Sequence, residues 1–221
     1  MTSLLGFIPA RSGSVRVPDK NLRPLAGKSL IERTIDTART ARSLDDIAFS
    51  SDSAAYIEHA QAQGLTVEYQ RPAAFARPDT TTAACVTDYL HWLEDQDAQS
   101  FPHIVLLQPT SPFRPAADID AAIDLWRQSG RESLTSVRPA ASEPRFLIFR
   151  DNTSERLTRH DDSERSAFVL DGAIFITPIA MIVNKGQFWD EESALFINAY
   201  PSPYDIDTEN DFAAAEALLA D

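Results

Sequence analysis

The chain has 221 residues, of which 43% are hydrophobic and 24% charged, proportions typical of a soluble globular protein. Its formal net charge of −13 at pH 7 argues against nucleic acid and anionic membrane surfaces as partners. No run of about 18 apolar residues is present, so no transmembrane helix is expected. The N-terminus lacks a basic segment followed by an apolar one, and the single cysteine, Cys85, allows no internal disulfide. We therefore expect a cytoplasmic protein.

The first predicted strand and the loop that follows it are the most informative part of the sequence. Leu4 to Ile8 is a short apolar run typical of a buried strand, and it ends at Pro9. Glycine and serine follow, and such residues let backbone N–H groups turn toward an anion. Between residues 11 and 33 there are six cations and two acids, so this segment is basic within an acidic chain. The pattern favours polyphosphate binding, and a surface loop with solvated charges is the alternative.

Predicted strands and helices alternate along the rest of the chain. Further strands are predicted at 47–49, 65–69, 103–107, 134–137, 168–176 and 195–197, and helices at 30–38, after Ser53, at 86–93, at 119–126, after Pro178 and after Thr208. This order predicts an α/β fold with a doubly wound, mostly parallel sheet in a single domain, 1–221. Polar clusters after the first four strands should then converge at one edge of the sheet. The segment 140–167 departs from the pattern and is expected to form a hairpin or arm, or else a floppy surface insertion.

Residues 8–31 match the string IPARSGSxRxPxKNxRPLAGKxLI at nearly every position. This string closely resembles the opening signature of the CMP-sugar synthetases, the cytidylyltransferases that activate sialic acid and other 2-keto-3-deoxy sugar acids. One departure is Val15, where the family usually has lysine. Three later strings also resemble the family: QPTSPFR at 108–114, DGAIF at 171–175 with Asp in place of the usual Asn, and DIDTENDF at 205–212.

The resemblance implies a nucleotide site. Arg11, Arg16 and Lys20 would hold the CTP triphosphate, and Arg11 and Lys20 would act in catalysis together with Asp207. Arg71, followed by Pro72, resembles an arginine that reads cytosine, because a guanidinium offers paired donors in one plane. The nucleotide-binding residues implied are Ala10, Arg11, Ser12, Gly13, Ser14, Arg16, Lys20, Asn21, Arg71, Asp79 and Thr80.

The resemblance also implies acceptor and metal sites. The sugar-binding residues implied are Gln108, Thr110, Ser111, Arg159 and Asp171. Asp205 and Asp207 lie two positions apart, so in an extended segment both carboxylates share one face. Such a pair suits Mg²⁺ completed by nucleotide phosphates, and the alternative is a pair of acids at a helix N-terminus.

The resulting prediction is a cytidylyltransferase that transfers CMP from CTP to the anomeric hydroxyl of a sialic- or legionaminic-like sugar acid and releases pyrophosphate. The resemblance further implies a homodimer formed through the 140–167 arm, which also contributes to the sugar pocket. Two alternatives remain open. One is a nucleotidyltransferase for a shorter, octulosonate-like acid. The other is a catalytically retired nucleotide-binding module, suggested by Val15 and by the unmatched segment 159–165.

Overall fold

The structure, a computed structural model, describes residues 2–14, 16–97, 99–140, 148–150, 157–159, 168–198 and 205–220. Its strands are β1 Leu4–Pro9, β2 Pro24–Leu25, β3 Lys28–Ser29, β4 Asp46–Ser50, β5 His103–Leu106, β6 Leu134–Pro139, β7 Ile148–Arg150, β8 Leu157–Arg159, β9 Phe168–Pro178 and β10 Ala194–Ile197. Its helices are α1 Leu30–Thr40, α2 Ala54–Ala62, α3 Thr82–Asp95, α4 Ala116–Ser129, α5 Ile179–Lys185 and α6 Glu209–Ala220, with a 3₁₀ turn at Ala73–Phe75.

Six strands form the central sheet in the order β10–β6–β9–β5–β1–β4. β1 runs parallel to both β4 and β5, and β10 runs parallel to β6. β9 is antiparallel to its neighbours β5 and β6. The sheet is thus mostly parallel with one inserted antiparallel strand, which confirms the predicted fold class. Because β1, β4 and β5 are mutually parallel, the loops that leave their carboxyl ends meet at one edge.

Both faces of the sheet are covered by helices, and β1 shows why its sequence is continuously apolar. Alternate side chains of a strand point to opposite faces. Leu4 and Ile8 pack into a core that includes α1 and α4, whereas Leu5 and Phe7 pack into a second core that includes α3. A strand buried on both faces needs no polar alternation, so β1 reads as an apolar run.

Local capping fixes where two of the helices begin. At α1, Glu32 N–H donates to Ser29 Oγ (3.1 Å) and the Glu32 carboxylate accepts from Ser29 N–H, a reciprocal capping box. At α6, Asp211 N–H donates to Thr208 Oγ1 (3.2 Å) and Thr208 N–H donates to Asp211 Oδ2 (2.7 Å). Thr208 thus caps the helix predicted after it, and residues 205–207 lie directly before the N-terminus of α6.

The predicted strand at 65–69 is wrong. β4 is the edge strand of the central sheet, and 65–69 is an extended segment without ladder pairing. Val67 and Tyr69 are buried, while the residues between and beside them are more exposed. Alternation in the sequence reports which side chains are buried, and an extended segment packed on a core produces the same pattern as a paired strand.

The segment predicted as an arm contains the antiparallel pair β7 and β8, in which Ile148 lies opposite Arg159. The other residues of 141–167 lie outside the described residues, so the arm and its role in a homodimer stay predictions. Among the residues that the structure describes, no helix is both long enough and apolar enough to cross a membrane.

Candidate active site

The loops that leave β1 and β5, the segment 71–85 and the residues before α6 line one cavity of about 260 Å³ at the carboxyl edge of the sheet. Ten of the residues predicted for the site line it: Arg11, Ser14, Lys20, Asn21, Arg71, Thr80, Gln108, Thr110, Asp205 and Asp207. They come from separate sequence strings, and Lys20 and Asp207 are 187 positions apart. The fold therefore brings the implied phosphate, base, acceptor and metal residues to one place.

Positive charge gathers around Asp207 on one side of this cavity. Lys20 Nζ lies 2.9 Å from Asp207 Oδ1, and Arg16 Nη2 lies 3.0 Å from Asp207 Oδ2. Lys20 also donates to the carbonyl oxygen of Ile206 at 2.6 Å. The Lys20 side chain is only 12% exposed, compared with 66% for Arg16, so solvent screens the Lys20 pair less. The implied triphosphate ligands and the implied metal ligand are thus in direct contact.

Arg71 lies elsewhere in the cavity and is held by the end of β4. The residue is 3% exposed. Its Nε donates to Ser50 Oγ at 2.9 Å, and its Nη2 donates to the Ser50 carbonyl oxygen at 2.6 Å. These two bonds fix the plane of the guanidinium. Because a guanidinium carries five N–H donors, others remain for a planar ligand.

A buried arginine binds the backbone carbonyl of Gln108, and a glycine lies against the end of its side chain. Arg114 Nη1 donates to the carbonyl oxygens of Ala173 (2.7 Å) and Gln108 (3.4 Å), which ties the loop after β5 to β9. Burial lowers the pKa of Arg114 to about 10, so it stays protonated at neutral pH. At Gly172, which has φ +73°, a Cβ would lie 2.9 Å from Gln108 Oε1. The Gln108 amide therefore occupies space that only glycine leaves open.

A second cavity of about 740 Å³ adjoins the first and shares Gln108 and Thr82 with it. Phe175, Phe188 and Trp189 supply aromatic lining, and the acids of 190–192 stand at the same cavity. The sequence reading did not anticipate the 186–192 turn as part of a site. The only local signal was an aromatic pair, Phe188-Trp189, two residues after Gly186, the glycine that ends α5.

Several predicted nucleotide residues lie at the site without facing the cavity. The backbone N–H of Ser12 donates to Asp52 Oδ1 at 3.0 Å, and its hydroxyl donates to Asp52 Oδ2 at 2.7 Å. Ala10 is buried, with its N–H bonded to the Ser50 carbonyl oxygen. Gly13 and Arg16 are in the loop but are not part of the lining, and Asp79 pairs with Arg77 at 3.4 Å on the surface. Val15 lies outside the described residues.

Two of the residues predicted to bind the sugar, Ser111 and Asp171, line neither of these two cavities. Ser111 is buried, and its hydroxyl has no hydrogen-bond partner among the described residues. Asp171 is buried, and its carboxylate accepts from the Ser136 hydroxyl, from Asn198 Nδ2 (3.2 Å) and from Ala173 N–H (3.0 Å). This carboxylate is occupied in holding β9, so Asp171 supports the strand that carries Gly172. The Arg159 side chain lies outside the described residues.

The two implied metal ligands have donors that suit Mg²⁺. Within the described parts of the chain, no three His, Cys, Asp or Glu side chains gather as a metal-binding group. Mg²⁺, however, is commonly bound by one or two carboxylates while substrate phosphates and water complete its octahedron. Asp205 and Asp207 both line the cavity that also contains the cationic loop. The donor set therefore fits an ion that arrives with a polyphosphate.

A doubly wound sheet with a cation-lined cavity beyond its strand ends defines a nucleotide-binding α/β protein. Comparison with known proteins narrows this class. Residues 5–177 match the family model described as "Cytidylyltransferase". The chain is 32% identical over 224 residues to CMP-N,N'-diacetyllegionaminic acid synthase of Legionella pneumophila, covering 98% of this chain and 96% of the relative. The chain belongs to the cytidylyltransferase family.

A second relative and two solved structures are also similar to this chain. The chain is 31% identical over 216 residues to N-acylneuraminate cytidylyltransferase of Streptococcus agalactiae, covering 93% of this chain and 51% of that protein. The structure of CMP:2-keto-3-deoxy-manno-octonic acid synthetase complexed with CTP has a TM-score of 0.74, 17% identity and 99% coverage of both chains. The 4-diphosphocytidyl-2C-methyl-D-erythritol synthase of Anaerococcus prevotii has a TM-score of 0.73 and 13% identity, covering 100% of this chain and 97% of its own. At these identities the two structures show the shared fold.

Proposed function

We propose that the chain transfers CMP from CTP to the anomeric hydroxyl of a 2-keto-3-deoxy sugar acid of the nonulosonate class, releasing pyrophosphate. The observation that carries the proposal is a single cavity that combines a fixed guanidinium, Arg71, with the cations Arg11 and Lys20. The names of the relatives support the acceptor class, since the Legionella protein makes a CMP-legionaminic acid and the Streptococcus protein transfers a cytidylyl group to an acylneuraminate.

The reaction needs alignment and charge neutralisation more than covalent chemistry. The acceptor hydroxyl oxygen forms a bond to the α-phosphorus, the bond from that phosphorus to the β-phosphate oxygen breaks, and pyrophosphate leaves with the electron pair. The hydroxyl proton passes to solvent. Arg11 and Lys20 stabilise the charge that develops on the departing pyrophosphate. Arg71 offers paired donors to the carbonyl and ring nitrogen of cytosine.

The ion pairs of Lys20 and Arg16 with Asp207 hold these two cations close to where we place the CTP triphosphate. With Lys20 and Arg16 bonded to one carboxylate, the loop after β1 is held to the start of α6. A triphosphate carries more negative charge than one carboxylate, so we expect it to draw both cations toward itself. A Mg²⁺ ion held by Asp205 and Asp207 would screen the phosphates and lower the pKa of the attacking hydroxyl.

The larger cavity is the proposed acceptor site. Gln108 stands where the two cavities meet, so it can reach a sugar whose anomeric centre faces the nucleotide. Phe175, Phe188 and Trp189 offer apolar surface for the substituents of a nonulosonate. We further propose a homodimer formed through the 140–167 segment, on the strength of the family resemblance, and a cytoplasmic location, which agrees with the single cysteine.

The test is pyrophosphate release measured with CTP, ATP, GTP or UTP against a panel of nonulosonic and octulosonic acids. We expect turnover with CTP and a nonulosonic acid, and none with the Asp207→Asn variant, whose melting temperature should stay near that of the wild type. Preference for another nucleotide would refute the proposal. Turnover with an octulosonic acid alone would favour the shorter acceptor, and CTP binding without turnover would favour a retired binding module.

A further inference from the structure

The turn at the end of β4, residues Ser50, Ser51 and Asp52, is bonded to both halves of the nucleotide site. We call it the β4 turn. The Ser50 carbonyl oxygen accepts from Ala10 N–H at 2.9 Å and from Arg71 Nη2 at 2.6 Å. One carbonyl therefore joins the start of the loop after β1 to the proposed base-reading arginine. Ser50 and Ser51 are both fully buried, so the turn is fixed by packing as well as by hydrogen bonds.

Asp52 anchors the phosphate side of the site. Its carboxylate accepts both the N–H and the hydroxyl of Ser12, at 3.0 and 2.7 Å. Hydrogen bonds to an ionised carboxylate are stronger than those between neutral groups. The bonded pair spans 40 positions of sequence, and it sets the path of the loop that carries Arg11 and Ser14 into the cavity. Ser12 is thus an anchor of the loop, with both of its donors occupied.

The base side is attached to the same turn. Arg71 N–H donates to the Ser51 carbonyl oxygen at 2.8 Å, and Arg71 Nε donates to Ser50 Oγ at 2.9 Å. Next to it, Gln70 Nε2 donates to the Asp52 carbonyl oxygen at 3.1 Å. The backbone and the guanidinium of Arg71 are therefore both set by the β4 turn.

We propose that the β4 turn positions the nucleotide by fixing the spacing between its phosphate-binding loop and its base-reading arginine. Asp52 positions the loop through Ser12, and Ser50 positions the guanidinium of Arg71. Neither acts on the reacting atoms. This inference rests on the proposed function, because it assigns the two ends of the cavity to triphosphate and cytosine.

Charge and positioning predict opposite changes in CTP affinity when Asp52 is removed. Asp52 is a negative charge beside a loop proposed to bind phosphates, so removing it without a change of geometry should strengthen CTP binding. If Asp52 positions the loop, removing it should weaken CTP binding. The sign of the change therefore separates the two roles.

A matched control lies at the other end of β1. Asp45 Oδ2 accepts from Leu4 N–H at 2.7 Å, so it is also a carboxylate that caps a backbone donor beside this strand. Asp45 is at the amino end of the parallel strands, opposite the candidate site. Asp45→Ala should therefore lower stability without changing the affinity for nucleotide.

The experiment is calorimetric titration of CTP, CMP and UTP into the wild type and into Asp52→Ala, Ser50→Ala and Asp45→Ala. We expect Asp52→Ala to weaken CTP binding about tenfold, the effect of losing about one hydrogen bond to a charged group, and CMP binding less than twofold. Ser50→Ala should weaken CTP and CMP by a similar factor and reduce the preference for CTP over UTP. Asp45→Ala should leave all three affinities unchanged.

The inference would be overturned if Asp52→Ala bound CTP more tightly, or if it lost the same factor in affinity for CTP and for CMP. It would also be overturned if Asp45→Ala weakened CTP binding as much as Asp52→Ala does. If Asp52→Ala fails to fold, Asp52→Asn gives the same comparison. It keeps an acceptor for Ser12 N–H but removes the charge, so partial weakening for CTP supports positioning and tighter binding refutes it. Failure of the proposed function is read from the wild type alone, as absence of a preference for CTP over UTP.

Discussion

Gly172→Ala is the substitution whose effect follows most directly from the geometry around Gln108. Gly172 has φ +73°, in the region where an L-residue is strained, and an alanine there costs about 1–2 kcal/mol of stability. The new Cβ would lie 2.9 Å from Gln108 Oε1, which is closer than ordinary contact. The end of a glutamine side chain moves more easily than backbone, so we expect the Gln108 amide to be displaced.

Gly130→Ala is a control that measures the loss of stability caused by the backbone conformation alone. Gly130 ends α4 with φ +66°, and nothing lies within 4 Å of the position of its Cβ. Both variants should therefore lose about 1–2 kcal/mol in the free energy of unfolding measured in urea. Only Gly172→Ala should raise the KM for the sugar acid, by about tenfold if one hydrogen bond to the acceptor is lost.

The assay is pyrophosphate release at saturating CTP with the acceptor varied, and then with CTP varied at saturating acceptor. In Gly172→Ala we expect the KM for the acceptor to rise and the KM for CTP to stay within about twofold of the wild-type value. If both glycine variants show the same KM for the acceptor, Gln108 does not contact the sugar. If the KM for CTP rises as much as that for the acceptor, Gly172 shapes the nucleotide side instead.

Three further predictions concern single side chains. Arg71→Lys keeps the charge but loses the planar fork, so steady-state kinetics should show at least a tenfold rise in the KM for CTP and little change for the acceptor; equal rises would contradict base reading. Burial lowers the pKa of His103, so the folded state binds fewer protons than the unfolded state and stability falls as pH drops below about 6.5. Urea unfolding between pH 7 and pH 5 should show a weaker pH dependence in His103→Gln, and an unchanged slope would count against this assignment. Burial raises the pKa of the Cys85 thiol, which also bonds the Phe75 carbonyl oxygen, so Ellman's reagent should react slowly with the native chain and rapidly in guanidinium; fast native labelling would contradict it.

The parts of the fold that local sequence signals determine were predictable. The apolar run at β1, the Ser29–Glu32 capping box and the Thr208 cap depend on residues within a few positions of one another. The insertion of antiparallel β9 between β5 and β6 depends on pairing between distant segments, which periodicity does not report. The mistaken strand at 65–69 has the same origin, because burial alternates there without a pairing partner.

In the candidate site, too, residues within short sequence strings were predictable, and contacts between distant parts of the chain were not. The strings that contain Lys20, Gln108 and Asp207 predicted residues that line the proposed nucleotide cavity, because each follows a strand or precedes a helix at the same edge of the sheet. The string that contains Arg71 reaches the same edge because its backbone is bonded to Ser51 at the end of β4. The hydrogen bonds that Asp52 accepts from Ser12 were not predictable, since they span 40 positions. The aromatic wall of the larger cavity was likewise missed, because an aromatic pair in a turn carries no specific signal.

The most direct test of the account is a crystal structure of the chain with CTP and Mg²⁺. We predict that the edge of the cytosine lies within hydrogen-bonding distance of the Arg71 guanidinium, and that the triphosphate lies among Arg11, Ser14 and Lys20, with Lys20 drawn from Asp207 toward the phosphates. A nucleotide bound with its base away from Arg71, or with its phosphates outside the loop after β1, would contradict the assignment of the two ends of the cavity.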